Sequence, residues 1–268
     1  MRILLACLFA LIAASSRAEE VEVDVELFLA VDVSRSMTPR ELEIQRRGYA
    51  EALASDEVVA AISRGALGRI ALTYVEWAGR NDQRAVVPWT LIDGREAAEA
   101  FAAKISAHFD SAMRRTSISA AISHAAASFE GNGFRSWRRV IDISGDGPNN
   151  DGRPVTWARN AALERGFVIN GLPLMTREGM GAQWHLDDLD EYYRACVIGG
   201  PASFVVPVRR WEEFPMAVRL KLVQELASAP SDLSPGATPA TFHELTQPTY
   251  DCLIGEKIWE RYFRETLP

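Results

Sequence analysis

Short apolar, β-branched runs alternate with helical stretches along most of this chain, and that alternation limits the fold more than any other feature. Val23–Val31, Arg69–Trp77, Ala85–Ile92, Arg139–Ser144, Phe167–Met175 and Phe204–Val208 read as strands. Between and after them the spacing predicts helices over Thr38–Leu53, Glu57–Ser63, Gly94–His108, Ile118–Phe129, Trp157–Arg165, Leu186–Cys196 and Trp211–Leu226. Thr38-Pro39-Arg40-Glu41 is a strong helix start, with threonine as the cap, proline at the first helical position and glutamate three residues after the cap. Strands separated by helices need crossover connections, so the sheet should be mainly parallel and covered on both faces. The expected fold is α/β, a three-layer α/β/α sandwich with a doubly wound, Rossmann-like sheet. Only Arg69–Trp77 and Ala85–Ile92 are close enough, across Gly79-Arg80-Asn81-Asp82, to be hairpin neighbours.

The ends of the chain differ in character. Arg2, the apolar run Ile3–Ala14 and Ser15-Ser16-Arg17-Ala18 have the layout of a secretory signal peptide, which makes residues 1–18 a removable leader. The apolar run is too short to span a bilayer as an anchor. Leu4-Leu5-Ala6-Cys7 comes too early for a lipoprotein cleavage site. The main domain is then 19–227. Residues 228–268, punctuated by Pro230, Pro235, Pro239 and Pro248 and closed by an amphipathic Leu253–Phe263, read as a C-terminal extension packed on it.

The formal charge is −7, and two units more negative without Arg2 and Arg17, which argues against nucleic acid or anionic lipid as partners. Export would place Cys196 and Cys252 in an oxidising compartment, the periplasm or outside the cell. A disulfide between them is the first expectation, and two buried thiols are the alternative.

Polar residues become informative where the strands end, because parallel sheets bind ligands beyond their carboxyl edge. The first strand runs into Asp32-Val33-Ser34-Arg35-Ser36. Thr116 precedes the alanine-rich helix, and Arg139–Ser144 leads into Gly145-Asp146-Gly147. Two carboxylates and three hydroxyls form an all-oxygen donor set suited to a hard cation: Mg²⁺, or Mn²⁺ or Ca²⁺. Alternate positions put Asp32, Ser34 and Ser36 on one side of an extended segment. The bland readings are a capped turn at Asp32, a helix cap at Thr116 and a plain turn at Asp146.

Asp32-x-Ser34-x-Ser36, Thr116 and Asp146, in that order, resemble the metal-ion-dependent adhesion site of von Willebrand factor type A (vWA) domains. Val140-Ile141-Asp142-Ile143-Ser144-Gly145-Asp146-Gly147 and Tyr193-Arg194-Ala195-Cys196-Val197-Ile198-Gly199-Gly200 are similar to an uncharacterised bacterial family of secreted vWA-like proteins, domain-of-unknown-function family 1194. Two positions depart from the vWA pattern: Arg115 stands where glycine is usual before the threonine, and Gly145 where threonine is usual before the aspartate. The resemblance implies a divalent cation held by Asp32, Ser34, Ser36, Thr116 and Asp146, completed by an aspartate or glutamate from a protein partner. Asp142, Glu76 and Trp77 are candidates for a supporting layer or partner surface.

Enzymatic readings find less support. No G-x-S-x-G or H-E-x-x-H occurs, and His108, His124, His185 and His243 have no ligand spacing. A binding module is therefore expected and not an enzyme. A metal-assisted hydrolase and a metal-free vWA scaffold are the alternatives.

Overall fold

The computed structural model describes residues 19–107, 113–176, 185–227 and 250–266. The leader expected over 1–18 lies outside them.

A five-stranded sheet forms the middle layer, in the order β4-β3-β2-β6-β7. These are β2 (Glu26–Asp32), β3 (Ile70–Trp77), β4 (Gln83–Ile92), β6 (Arg139–Gly145) and β7 (Val168–Pro173). Every pairing is parallel except the β3–β4 hairpin. Every residue of β2 and β3 is buried, as expected of central strands packed on both faces. Alternation sorts the side chains of β2. Leu27, Leu29 and Val31 face one apolar core, and Phe28 and Ala30 face the other.

The first core is closed by α1 (Pro39–Leu53), α2 (Asp56–Ser63), α3 (Arg95–Ala107) and α7 (Phe214–Ala227). The second is closed by α4 (Ile118–Ser128), α5 (Val155–Glu164) and α6 (Leu189–Tyr192), which continues as a π-turn over Tyr193–Val197. The three layers are those the alternation predicts. The start of α1 carries the full reciprocal cap: the Glu41 amide donates to the Thr38 hydroxyl at 3.3 Å, and the Thr38 amide to the Glu41 carboxylate at 2.6 Å.

Some elements differ from expectation. Val23–Val31 begins as a strand only at Glu26, because the Asp24 carboxylate accepts the Leu67 and Arg69 amides and holds the entry. The preceding β1 (Val21–Glu22) instead pairs with β5 (Phe134–Arg135) as a separate two-stranded ribbon. Phe204–Val208 forms no strand and is held by isolated bridges from Val205 to Gly171 of β7 and from Val208 to Leu174 just beyond it, and Pro207 has no amide to donate to a ladder. The helix expected over Leu186–Cys196 is the short α6 and its π-turn.

Beyond the described break, α8 (Ile254–Thr266) lies against the carboxyl edge of the sheet. Cys196 at the end of the π-turn is bonded to Cys252, with the Cα atoms 5.5 Å apart. Asn149 donates to the Glu256 carboxylate at 2.7 Å. Gly255 packs so closely on the Asn149 carbonyl that a side chain there would collide with it.

Candidate metal centre

Strand order fixes where the site lies. β2 has β3 on one side and β6 on the other, and the chain reaches these neighbours in opposite directions, so a crevice opens above the end of β2. Asp32 is the last residue of β2, and Asp146 directly follows β6. The loop after β2 is held by Val33, whose amide donates to Trp77, and by Met113, whose amide donates to Val33.

A line of short hydrogen bonds crosses the crevice. One oxygen of the fully buried Asp32 accepts the Ser34 amide at 2.7 Å. The Ser34 and Ser36 hydroxyls lie 2.9 Å apart, and Ser36 donates to the Asp146 carboxylate at 2.8 Å. Gln45 of α1 donates to the Asp32 carbonyl at 2.8 Å, fixing the strand end from below.

Thr116 lines the same cavity as Ser34, Ser36 and Asp146. Asn150 clamps its backbone from both sides: the Thr116 amide donates to the Asn150 side chain at 3.0 Å, and the Asn150 amide to the Thr116 carbonyl at 2.8 Å. The cap of α4 is Ser117, whose hydroxyl accepts from Ala120 and donates to the Asp151 carbonyl. Thr116 therefore has no capping duty. Arg80 holds Asp151 through its backbone amide and its guanidinium at 2.6–3.0 Å, so the 147–152 loop braces the Thr116 loop.

The electrostatics favour a cation. Burial pushes the Asp32 carboxyl well above its usual range, and the neighbouring Asp146 pushes it further. Burial also raises Asp146, against the hydrogen bond from Ser36 and the charge of His185. The second Asp32 oxygen is buried without a hydrogen-bond partner among the described residues, and so is the Tyr193 hydroxyl. An unsatisfied buried carboxylate oxygen is costly, and a divalent ion is one group that satisfies it. Among the described residues no three His, Cys, Asp or Glu side chains cluster at metal distance. The donor set is two carboxylates with hydroxyls, whose hard oxygens fit Mg²⁺, Mn²⁺ or Ca²⁺.

Both departures from the vWA pattern have local causes. A Cβ on Gly145 would lie 2.9 Å from the Tyr193 hydroxyl and 3.0 Å from the Asp32 carboxylate, so the phenol occupies the space a threonine would need. Arg115 keeps the left-handed backbone, φ 75°, that glycine adopts without strain. Its guanidinium lies 3.7 Å from the centre of the Trp259 ring on α8.

Of the supporting layer or partner surface expected at Asp142, Glu76 and Trp77, burial bears on the surface role, while the Trp77 carbonyl accepts the Val33 amide beneath the site loop. Trp77 is fully buried in the second core, and Glu76 is 1 % exposed and paired with Arg84 at 2.5 Å, so neither offers a partner surface. Asp142 sits mid-strand opposite Leu29, away from the strand ends, and pairs with Lys221 of α7 at 2.6 Å. Their burial keeps these three side chains from a partner's surface, and Glu76 and Trp77 stand beside Val31 and Asp32 in the sheet register. Sequence reasoning passed over Tyr193, Asn150 and Trp259. The Asn149-Asn150-Asp151-Gly152 run, rich in turn-forming residues, is the local signal of the brace.

The family model described as a protein of unknown function, DUF1194, matches residues 22–230. The chain belongs to the DUF1194 family. The search of curated proteins found no match. Among solved structures, this DUF1194 protein is similar to proximal thread matrix protein 1 of the mussel byssus. The TM-score is 0.56 at 14 % identity, over 78 % of this chain and 50 % of that one. It is similar to the pilus adhesin SpaC of Lactobacillus rhamnosus GG, with TM-score 0.54 at 10 % identity over 78 % and 31 %. A von Willebrand factor type A protein of Catenulispora acidiphila aligns with TM-score 0.51 at 13 % identity over 76 % and 43 %. The DUF1194 chain thus spans half or less of the length of these proteins, and the likeness is one of fold. One structure of the mussel protein has its MIDAS motif occupied by zinc.

Proposed function

We propose that this DUF1194 protein is a binding module, not an enzyme, that uses a divalent cation to capture an acidic group on a protein partner. Asp32, Ser34, Ser36, Thr116 and Asp146 would hold the ion, and the bound ion would supply an electrophilic position open to a partner's aspartate or glutamate. The observation that carries this reading is the hydroxyl–carboxylate line from Asp32 to Asp146, which leaves one Asp32 oxygen buried and unpartnered. Two carboxylates leave a divalent ion short of ligands and attractive to a third. The vWA fold of the adhesin and matrix proteins above, one with a metal in its motif, supports the same reading. Mg²⁺ is the ion of choice, with Mn²⁺, Ca²⁺ and Zn²⁺ as comparisons.

Secretion to the periplasm or beyond belongs to the same proposal. The leader pattern of residues 1–18 and the Cys196–Cys252 bond both suit an oxidising compartment. No helix among the described residues is long and apolar enough to cross a membrane.

The test is capture of envelope proteins on the immobilised chain with Mg²⁺. Bound partners should elute with chelator, lose binding when their carboxyls are amidated, and fail to bind Asp32→Ala. Chelator-resistant binding, equal for both columns, would contradict the proposal.

One observation favours a second reading, metal-assisted hydrolysis. His185 lies near enough to Asp146 to act on its carboxyl, and its buried Nε2 has no hydrogen-bond partner among the described residues; only its neutral imidazole would be a candidate base. Metal-dependent cleavage of an ester or phosphoester panel, lost in His185→Gln, would favour that reading over binding alone.

A further inference from the structure

The candidate ion position opens into a cavity of about 530 Å³, within the size range of small-ligand sites. Ser36, Thr116 and Asp146 form its floor, and Ile258, Trp259, Tyr262 and Phe263 of α8 form one wall. Trp259 meets Phe263 edge to face with ring centres 5.0 Å apart, and Tyr262 and Phe263 are 38 % and 41 % exposed. The wall is fixed in place. The Cys196–Cys252 bond, the Asn149–Glu256 hydrogen bond, the close seat of Gly255 and the Arg115–Trp259 stack all hold α8 against the domain.

The α8 helix does not act as a stand-in ligand. None of its cavity-lining residues is acidic, Glu256 lies outside that lining with one oxygen accepting from Asn149, and Glu260 is paired with Arg264. The cavity lining also includes Arg35 and Arg114, both exposed and without a carboxylate partner among the described residues. An anionic floor poised for a cation, exposed arginines in the lining and an aromatic wall favour a ligand that is acidic and apolar at once.

We propose that α8 supplies an aromatic subsite beside the ion position, and that the ligand is an acidic peptide segment with a bulky apolar side chain next to its metal-directed carboxylate. This rests on the ion-dependent reading of the same site. The carboxylate reaches the floor, the apolar neighbour packs on Trp259 and Phe263, and Arg35 and Arg114 draw the surrounding negative charge.

Three blocked peptides test it by calorimetry on the full oxidised chain at saturating Mg²⁺: acetyl-Gly-Asp-Gly-amide, acetyl-Phe-Asp-Gly-amide and acetyl-Gly-Asp-Phe-amide. The better phenylalanine peptide should bind about tenfold or more tightly than the glycine peptide, as burial of one aromatic ring predicts. The half-exposed Phe263→Ala should erase that preference while Mg²⁺ affinity and glycine-peptide binding stay unchanged; Trp259→Ala, which also removes the Arg115 stack, should erase the preference too. Equal affinities on the wild type, or no binding of any peptide with Mg²⁺ bound, overturn the subsite. Tighter binding by the variants also overturns it, because α8 would then obstruct the site. A prior Mg²⁺ titration separates the two claims: its failure overturns the ion site and the subsite together, and its success with equal peptide affinities overturns the subsite alone.

Discussion

The guanidinium of Arg115 stacks 3.7 Å from the ring centre of Trp259, while its own backbone is held at φ 75°. A non-glycine residue in this region carries about 1–2 kcal/mol of strain, and an arginine–tryptophan stack returns about 0.5–2 kcal/mol. Arginine stands where glycine would be easier, and its partner is the helix walling the candidate site.

Two substitutions separate strain from contact. Arg115→Ala keeps the strain and loses the stack, and Arg115→Gly loses both. Denaturant unfolding should find the glycine variant more stable than the alanine variant by about 1 kcal/mol. The reverse order would mean the backbone is not strained.

Gly145 is fixed by its neighbours. A methyl group there would press on the Tyr193 hydroxyl and the Asp32 carboxylate at 2.9 and 3.0 Å. Gly145→Ala should destabilise the fold by about 1–3 kcal/mol, the range for overpacking, and Tyr193→Phe in the same chain should recover part of the loss. An unchanged unfolding midpoint in Gly145→Ala would contradict the packing described.

How much of this was legible in the sequence follows from what each feature depends on. The layers, the five strands of the main sheet and the Thr38 cap rest on local periodicity and spacing and appear in the structure; Phe204–Val208, read as a strand, forms only isolated bridges. The hydroxyl and carboxylate positions around Asp32 were visible because strand ends concentrate polar residues at one edge. Arg115 and Gly145 looked like defects, since the compensating groups, Trp259 and Tyr193, lie 144 and 48 positions away and no local pattern links them. The burial of Asp142 and Glu76 away from any partner surface was hidden for a related reason. A polar residue within a strand signals burial with a partner as strongly as it signals a ligand, and here Lys221 and Arg84 come from other elements.

Lys221 is the cation of a buried triad, 2.6 Å from Asp142 and 2.5 Å from Glu225, with Asn170 donating to Glu225 at 2.9 Å. Burial pushes the Asp142 carboxyl up to about 7, against the pull of Lys221 and aided by Glu225. Lys221→Met leaves two carboxylates facing each other in the core and should lower unfolding stability by about 3–5 kcal/mol. Adding Asp142→Asn and Glu225→Gln should restore most of it. A loss under about 1 kcal/mol in the single variant would show that the triad is not tightly buried.

The Cys196–Cys252 bond closes a separation of 56 residues and is a covalent tie between α8 and the domain. Chain entropy assigns a loop of this size about 4 kcal/mol, an upper figure when only an arm is freed. Paired Cys196→Ser and Cys252→Ser should speed tryptic cleavage at Lys257 and Arg261 while the cores stay protected. Unaltered cleavage would mean that the non-covalent seat of α8 suffices.

Calorimetric titration of Mg²⁺ and Mn²⁺ into the wild type, Asp32→Ala and Asp146→Ala tests the central claim most directly. The account predicts one saturable site per chain in the wild type and loss of at least about tenfold in affinity in each variant, because each removes a carboxylate oxygen from the ion. No saturable binding by the wild type at millimolar metal, or equal binding by all three proteins, would contradict it.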